Sequence, residues 1–149
     1  MSREFRVSTP GFLVWRLSMK WRAAMDRALA PLGLTHAQYA VLSSLSGMQR
    51  EGLVPSQRAL ADHTGLEPLY VSKLARALET DGLIERTRDP VDTRAVRLSL
   101  TTRGSEVAGE AIAIVHPLLD RLTEPLGERV DEFVRELNAL LDVSLDPTE

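Results

Sequence analysis

The chain contains no cysteine. This excludes a disulfide framework, a thiolate metal site and a cysteine redox sensor, and it is compatible with a reducing compartment, so a cytoplasmic location is expected. Long hydrophobic runs are also missing. The longest unbroken apolar stretch is Ala111 to Val115, far short of the roughly 20 residues that a membrane-spanning helix needs. The N-terminus lacks the apolar region of a signal peptide, so no membrane partner is expected. No glycine-rich phosphate loop, nucleophile elbow or HExxH pattern occurs, which argues against an enzyme and against a bound cofactor. Neither internal repeats nor low-complexity segments are found.

A large excess of charge of one sign is absent as well, but the small net charge of −3 conceals a polarity. Residues 1 to 104 hold 15 basic and 10 acidic side chains, a balance of +5, whereas residues 105 to 149 hold 3 and 11, a balance of −8. A basic front part suits a polyanionic partner, and the acidic tail would face away from it. An acidic helix serves equally well to keep a protein in solution. The length of 149 residues fits one domain, or one domain with an appended dimerisation part, and a hydrophobic fraction of 44% can supply a core.

The stretch from Gly65 to Gly104 carries the most information. Glu67 can cap a helix, Pro68 suits its first turn and Gly82 its end. Between them Val71, Leu74, Ala75 and Leu78 fall at i, i+3, i+4 and i+7, a single buried stripe. The opposite face carries Leu69, Ser72, Lys73, Arg76 and Thr80, with Tyr70 on its flank. After Gly82 the period changes to two, with Val96, Leu98 and Leu100 alternating with Arg97 and Ser99 and with Leu83 to Arg88 as the pairing strand. The turn between them, Arg88 to Arg94, is polar, contains Pro90 and bears an arginine at each end. Such a helix can enter a major groove, about 12 Å wide, while the hairpin reaches a neighbouring groove or phosphate.

These elements resemble the recognition helix and wing of MarR-type transcriptional regulators. The resemblance rests on the run Leu78 to Arg86, the wing tip Asp89-Pro90-x-Asp92-x-Arg94 and the segment Leu98-x-Leu100-Thr101-x-x-Gly104, and it extends over roughly residues 11 to 143. Pro68, Leu69 and Tyr70 stand where small polar residues are more usual. The resemblance implies a mainly α fold with a small β-hairpin wing, a winged helix-turn-helix with N- and C-terminal dimerisation helices. It also implies a two-fold homodimer on a pseudo-palindromic double-stranded DNA site, and a small, often aromatic or anionic effector bound between the dimerisation helices and the reading module. Trp15, Met19, His36 and Tyr39 are the expected lining of that effector cleft, although each also suits a plain core.

The rest of the chain fits this plan. Residues 1 to 10 are polar and expected to be frayed or draped on a partner. A helix from Gly11 to Ala30 is apolar around much of its circumference and so needs two covers, its own domain and a second copy of the chain, or else a central place in a monomeric bundle. Thr35 to Gln38 matches a capping box that opens a helix to about Met48. Leu53-Val54 could add a strand edge to the wing. Ser56 caps a short positioning helix, Gln57 to His63, whose start (Ser56, Gln57, Arg58) suits a phosphate. Thr101 caps a long helix to about Leu122, with Val107, Ala111, Ile114, Val115, Leu118 and Leu122 as its stripe and with Pro117 expected to kink or end it. A last amphipathic helix runs from Glu128 to about Val143. The expected division is residues 1–34 for the N-terminal dimerisation helix, 35–101 for the DNA-binding module and 102–149 for the C-terminal dimerisation helices.

Ser72, Lys73 and Arg76 are the best base or phosphate contacts. Arg76 suits guanine O6 and N7, and Leu69 a thymine methyl. Arg94 is the candidate for a minor groove, with an ion pair to Asp92 as the plainer role, while Arg88 and Arg97 are candidates for phosphates. His36, His63 and His116 lie far apart in sequence without a carboxylate cluster, so no metal site is expected. A metal-responsive sensor is one rival reading. The other is a winged-helix protein-interaction module that has lost DNA binding.

Overall fold

The computed structural model describes residues 9–149; the expectation for the polar start of the chain falls mainly on residues 1–8 and lies outside them. Among the described residues six α-helices and one hairpin are formed. They are α1 (Pro10–Leu29), α2 (His36–Arg50), α3 (Gln57–Thr64), α4 (Pro68–Thr80), β1 (Ile84–Arg88), β2 (Val96–Leu100), α5 (Thr102–Thr123) and α6 (Val130–Leu141), with short 3-10 turns at Ala30–Leu32 and Glu124–Arg129. The chain divides into two compact units, one ending at Val115 and the other beginning at His116.

Local chemistry sets these boundaries. The Thr9 hydroxyl accepts from the Phe12 amide at the start of α1. At α2 both halves of the capping box form: the Gln38 amide donates to the Thr35 hydroxyl at 3.2 Å and the Thr35 amide to the Gln38 side-chain oxygen at 3.0 Å. Gly65 ends α3 in the left-handed region, at φ 74°, which turns the chain directly into α4. The two strands pair antiparallel with Ile84 opposite Leu100 and Arg88 opposite Val96.

The core of the first unit joins α1 to α5. Met25 and Leu29, Val41 and Leu42, Leu60, the α4 stripe Val71–Leu74–Ala75–Leu78, Ile84, Leu98, Ala108 and Ala111 are all buried. The reading helix is therefore clamped on its inner side, which leaves the outer side to project from a rigid base. By contrast Phe12, Leu13, Val14, Trp15, Leu17 and Met19 on α1 are exposed. In the second unit Val134, Leu137, Leu140 and Leu141 of α6 are exposed too.

Four expectations need correction. Pro117 does not end its helix, because α5 continues as α-helix to Thr123, although the proline supplies no backbone donor there. Leu53 and Val54 are exposed and do not join the sheet. The third strand contact is made instead by Pro55, whose carbonyl accepts from the Leu98 amide at 2.9 Å, and by a bridge between Ser56 and Arg97. The last helix starts at Val130 rather than Glu128, after Gly127 breaks the chain at φ 57°, ψ −125°. The stripe of α5 in the first unit holds at Ala111 and Val115, but Gly104 and Ala108 are buried with them while Val107 is only partly buried against the core, since small residues let the helix approach its neighbours closely.

Candidate nucleic-acid interface

At the start of α4 the Glu67 carboxylate accepts from the Leu69 and Tyr70 amides, each at 3.2 Å. The cap fixes the rotation of the helix, and the buried stripe holds it. Leu69, Lys73 and Arg76 then lie exposed along the outer face with half-buried Ser72 between them. Leu69 is 78% exposed. Neither Lys73 nor Arg76 forms an ion pair among the described residues, so both charges are available to an external anion. Tyr70, on the flank of this face as expected, is exposed and also lines a cleft on the side of the helix.

The positioning helix is less available than expected. The Ser56 hydroxyl accepts from the Ala59 amide at 3.0 Å and is a cap. The Gln57 side-chain oxygen accepts from Arg86 Nε at 3.0 Å, and the same guanidinium reaches Glu79 at 3.8 Å. Arg86, half-buried on β1, thus ties α3, α4 and the wing to one another. Arg58 is exposed.

The wing tip is organised by Asp89. Its carboxylate accepts from the amides of Val91 at 2.8 Å and Asp92 at 3.0 Å, and it lies 3.9 Å from Arg97 Nε. The Asp92 amide most of all, then the Val91 amide and the Arg97 charge, hold its pKa below the usual carboxylate value. Arg97 is therefore engaged within the wing. The Arg94 amide donates to Asp92 Oδ1 at 3.1 Å, and the Arg94 side chain, 92% exposed, touches the same oxygen at 3.5 Å. An exposed pair at that distance is weak, so Arg94 can leave Asp92 for a nucleic-acid oxygen or base. Arg88 is exposed at the end of β1.

The base of the wing is anchored by Thr101. Its amide donates to the Leu83 carbonyl at 3.1 Å, and its hydroxyl donates to the Gly82 carbonyl at 2.7 Å while accepting from the Gly104 amide at 2.9 Å. Gly104 is the close approach in this clasp: a Cβ there would sit 1.8 Å from the Leu83 carbonyl oxygen.

The four residues expected around an effector are not brought together. His36 lines an open cleft of about 580 Å³ with Arg22, Asp26, Leu66 and Tyr70. Met19 lines a different groove along α1 with Leu13, Arg16, Leu17 and Lys20. Trp15 is 61% exposed, and Tyr39 packs partly buried against the core, where burial raises its pKa. In the cleft the Asp26 carboxylate accepts from the His36 amide at 3.0 Å. Burial lowers the His36 pKa, Asp26 opposes that shift and Arg22 adds to it, which favours the neutral imidazole, with one donor and one acceptor. Arg22 and Asp26, at i and i+4 on α1, were not among the expected lining residues; the signal for them is that Asp26 is the one acidic side chain among the cations of α1. Among the described residues no three histidine or carboxylate groups gather where a metal ion would fit, and His116 pairs with Asp120 at 3.4 Å.

Comparison with known proteins agrees with this geometry. A model of the MarR family matches residues 32–95. The chain is 35% identical over 137 residues to the uncharacterized HTH-type transcriptional regulator YdcH of Bacillus subtilis (strain 168), covering 90% of each chain. It is 34% identical over 134 residues to an HTH-type transcriptional repressor of Mycobacterium tuberculosis, covering 87% of this chain and 91% of the other. Its fold matches that of MepR of S. aureus in complex with DNA at a TM-score of 0.77 and 28% identity, over 89% of this chain and 96% of that one. The chain belongs to the MarR family of winged helix-turn-helix transcriptional regulators.

Proposed function

We propose that the protein binds a pseudo-palindromic duplex as a homodimer and represses transcription until a small molecule occupies the Arg22–His36–Tyr70 cleft. The observation that carries the DNA reading is the outward row Leu69–Ser72–Lys73–Arg76 on a helix clamped by its buried stripe, beside a wing that ends in exposed Arg94. Two such helices enter successive major grooves about 34 Å apart, with phosphate contacts giving most of the affinity and base edges the register. The MepR complex with DNA, at a similar fold, supports this. Dimerisation uses the exposed apolar surfaces of α1 and of the C-terminal helices. The reading involves no catalytic step, and the protein acts in the cytoplasm, where the DNA is.

The cleft supports ligand control because it is lined by both α1 and α4. A molecule that prefers one spacing of the two reading heads shifts the population toward it. The test of the DNA reading is selection from a random duplex library at near-physiological salt. Enrichment of an inverted repeat with half-sites about ten base pairs apart is expected; retention of nothing would overturn the DNA reading in favour of an interaction module.

A further inference from the structure

From the DNA reading proposed above, on which this rests, the structure assigns a composition to the half-site: we infer that it holds a thymine, read through its methyl group by Leu69, at most about three base pairs from a guanine read by Arg76. Three observations lead there. The two amides at the start of α4 that a phosphate would need are already satisfied by the Glu67 carboxylate, so the first turn is a poor anchor for the DNA backbone and repels it electrostatically. Leu69 follows directly and is 78% exposed, so its side chain has almost no partner within its own chain. It heads the same face as Ser72, Lys73 and Arg76, at i, i+3, i+4 and i+7, and the N-terminal residues of a recognition helix are those that meet base edges.

An apolar side chain at the floor of the major groove has one apolar partner there, the C5-methyl of thymine. Arg76, seven residues further, lies about 10.5 Å along the helix axis at 1.5 Å per residue. That is at most about three base steps, the 3.4 Å rise being counted along the duplex axis, and a bidentate guanidinium selects guanine.

The experiment replaces each thymine of the selected operator by deoxyuridine, one symmetric pair at a time, and measures affinity. Removing one methyl contact should weaken binding about fourfold per half-site, or roughly fifteenfold for the pair. The sensitive thymine should lie at most about three base pairs from an invariant guanine. Leu69→Ala should lose the response to uracil at that position while Leu69→Met keeps it. Uniform indifference of the unmodified protein to uracil overturns the inference while leaving DNA recognition intact, as does a Leu69→Ala protein that retains the full response. Failure to bind any duplex is a separate result and overturns the DNA reading itself.

Discussion

Replacing Gly104 by alanine tests the clasp that orients the wing. The new Cβ would lie 1.8 Å from the Leu83 carbonyl oxygen, 2.8 Å from its carbon and 3.2 Å from its Cα. All three are backbone atoms, so no rotamer change relieves the contact, and the start of α5 must retreat by at least about 1.6 Å to reach ordinary van der Waals separation. That retreat stretches the Thr101 amide bond to Leu83, 3.1 Å long, and the hydroxyl bond to Gly82, 2.7 Å long, beyond useful range. Overpacking of this kind costs about 1–3 kcal/mol and each lost hydrogen bond about 1 kcal/mol, offset by about 1 kcal/mol from the better helix propensity of alanine. The net loss is about 3 kcal/mol. Gly109, in the same helix, has nothing within 4 Å of where its Cβ would be, so Gly109→Ala should instead stabilise by about 0.5–1 kcal/mol. Urea denaturation at one fixed protomer concentration compares the two, since dimerisation makes apparent stability depend on concentration. Equal stability of the two variants would refute the close approach. The Gly104 variant should also bind its operator more weakly, because the wing no longer has a fixed base.

Lys73→Ala and Arg94→Ala should each weaken duplex binding and lower the slope of log affinity against log salt by about one unit where a phosphate contact is lost; a salt titration in which neither variant differs from the parent would remove both residues from the interface. Arg86→Met removes the bond to Gln57 and the contact to Glu79 at once, and should cost about 1–2 kcal/mol in urea denaturation together with discrimination between operator and random duplex. His36 has its pKa held below the ordinary 6.5, first by burial. The unfolded chain therefore takes up the proton more readily, and the stability that neutral His36 contributes is complete above about pH 6.5 and lost as pH falls through that value toward the lowered one. His36→Asn should remove this segment of the pH dependence; an unchanged slope would assign it to another group.

Much of this arrangement was legible from the order of residues. The α4 stripe of Val71, Leu74, Ala75 and Leu78 is a 3.6-residue repeat, and all four residues are buried; the alternation through Val96, Leu98 and Leu100 is a period of two, and it forms β2. Caps such as Thr35 with Gln38 work over three residues and can be read locally. Contacts between distant segments were not legible. Gln57 and Arg86 are 29 residues apart, and no local pattern says that the arginine would face the positioning helix instead of a phosphate. Tyr70 could be placed on the flank of the reading face from its spacing, but the cleft it lines there, with Arg22 and His36, joins segments too distant in sequence to be read locally. The stripe of α5 was legible at Ala111 and Val115, both buried, whereas Gly104 and Ala108 were not, because a small side chain gives little hydrophobic signal although close packing selects it. Trp15 and Met19 belong to an exposed helix surface, and the separation of such a surface from a cleft is settled by three-dimensional placement alone.

A single peptide bond separates Leu69, exposed on the outer face of α4 and proposed above to read the operator, from Tyr70, which lines the cleft. Each residue added to or removed from the short turn between Gly65 and Glu67 would rotate α4 by about 100°. The rotation would exchange the duties of these two neighbours and swing Val71 and Leu78 out of the core. Descendants of this protein can therefore acquire new targets and new ligands by substitution, but not by a change of length in that turn. A substitution that bends the backbone at either residue is felt at both surfaces, so on the proposed reading what the protein reads and what it would respond to do not diverge as independent traits.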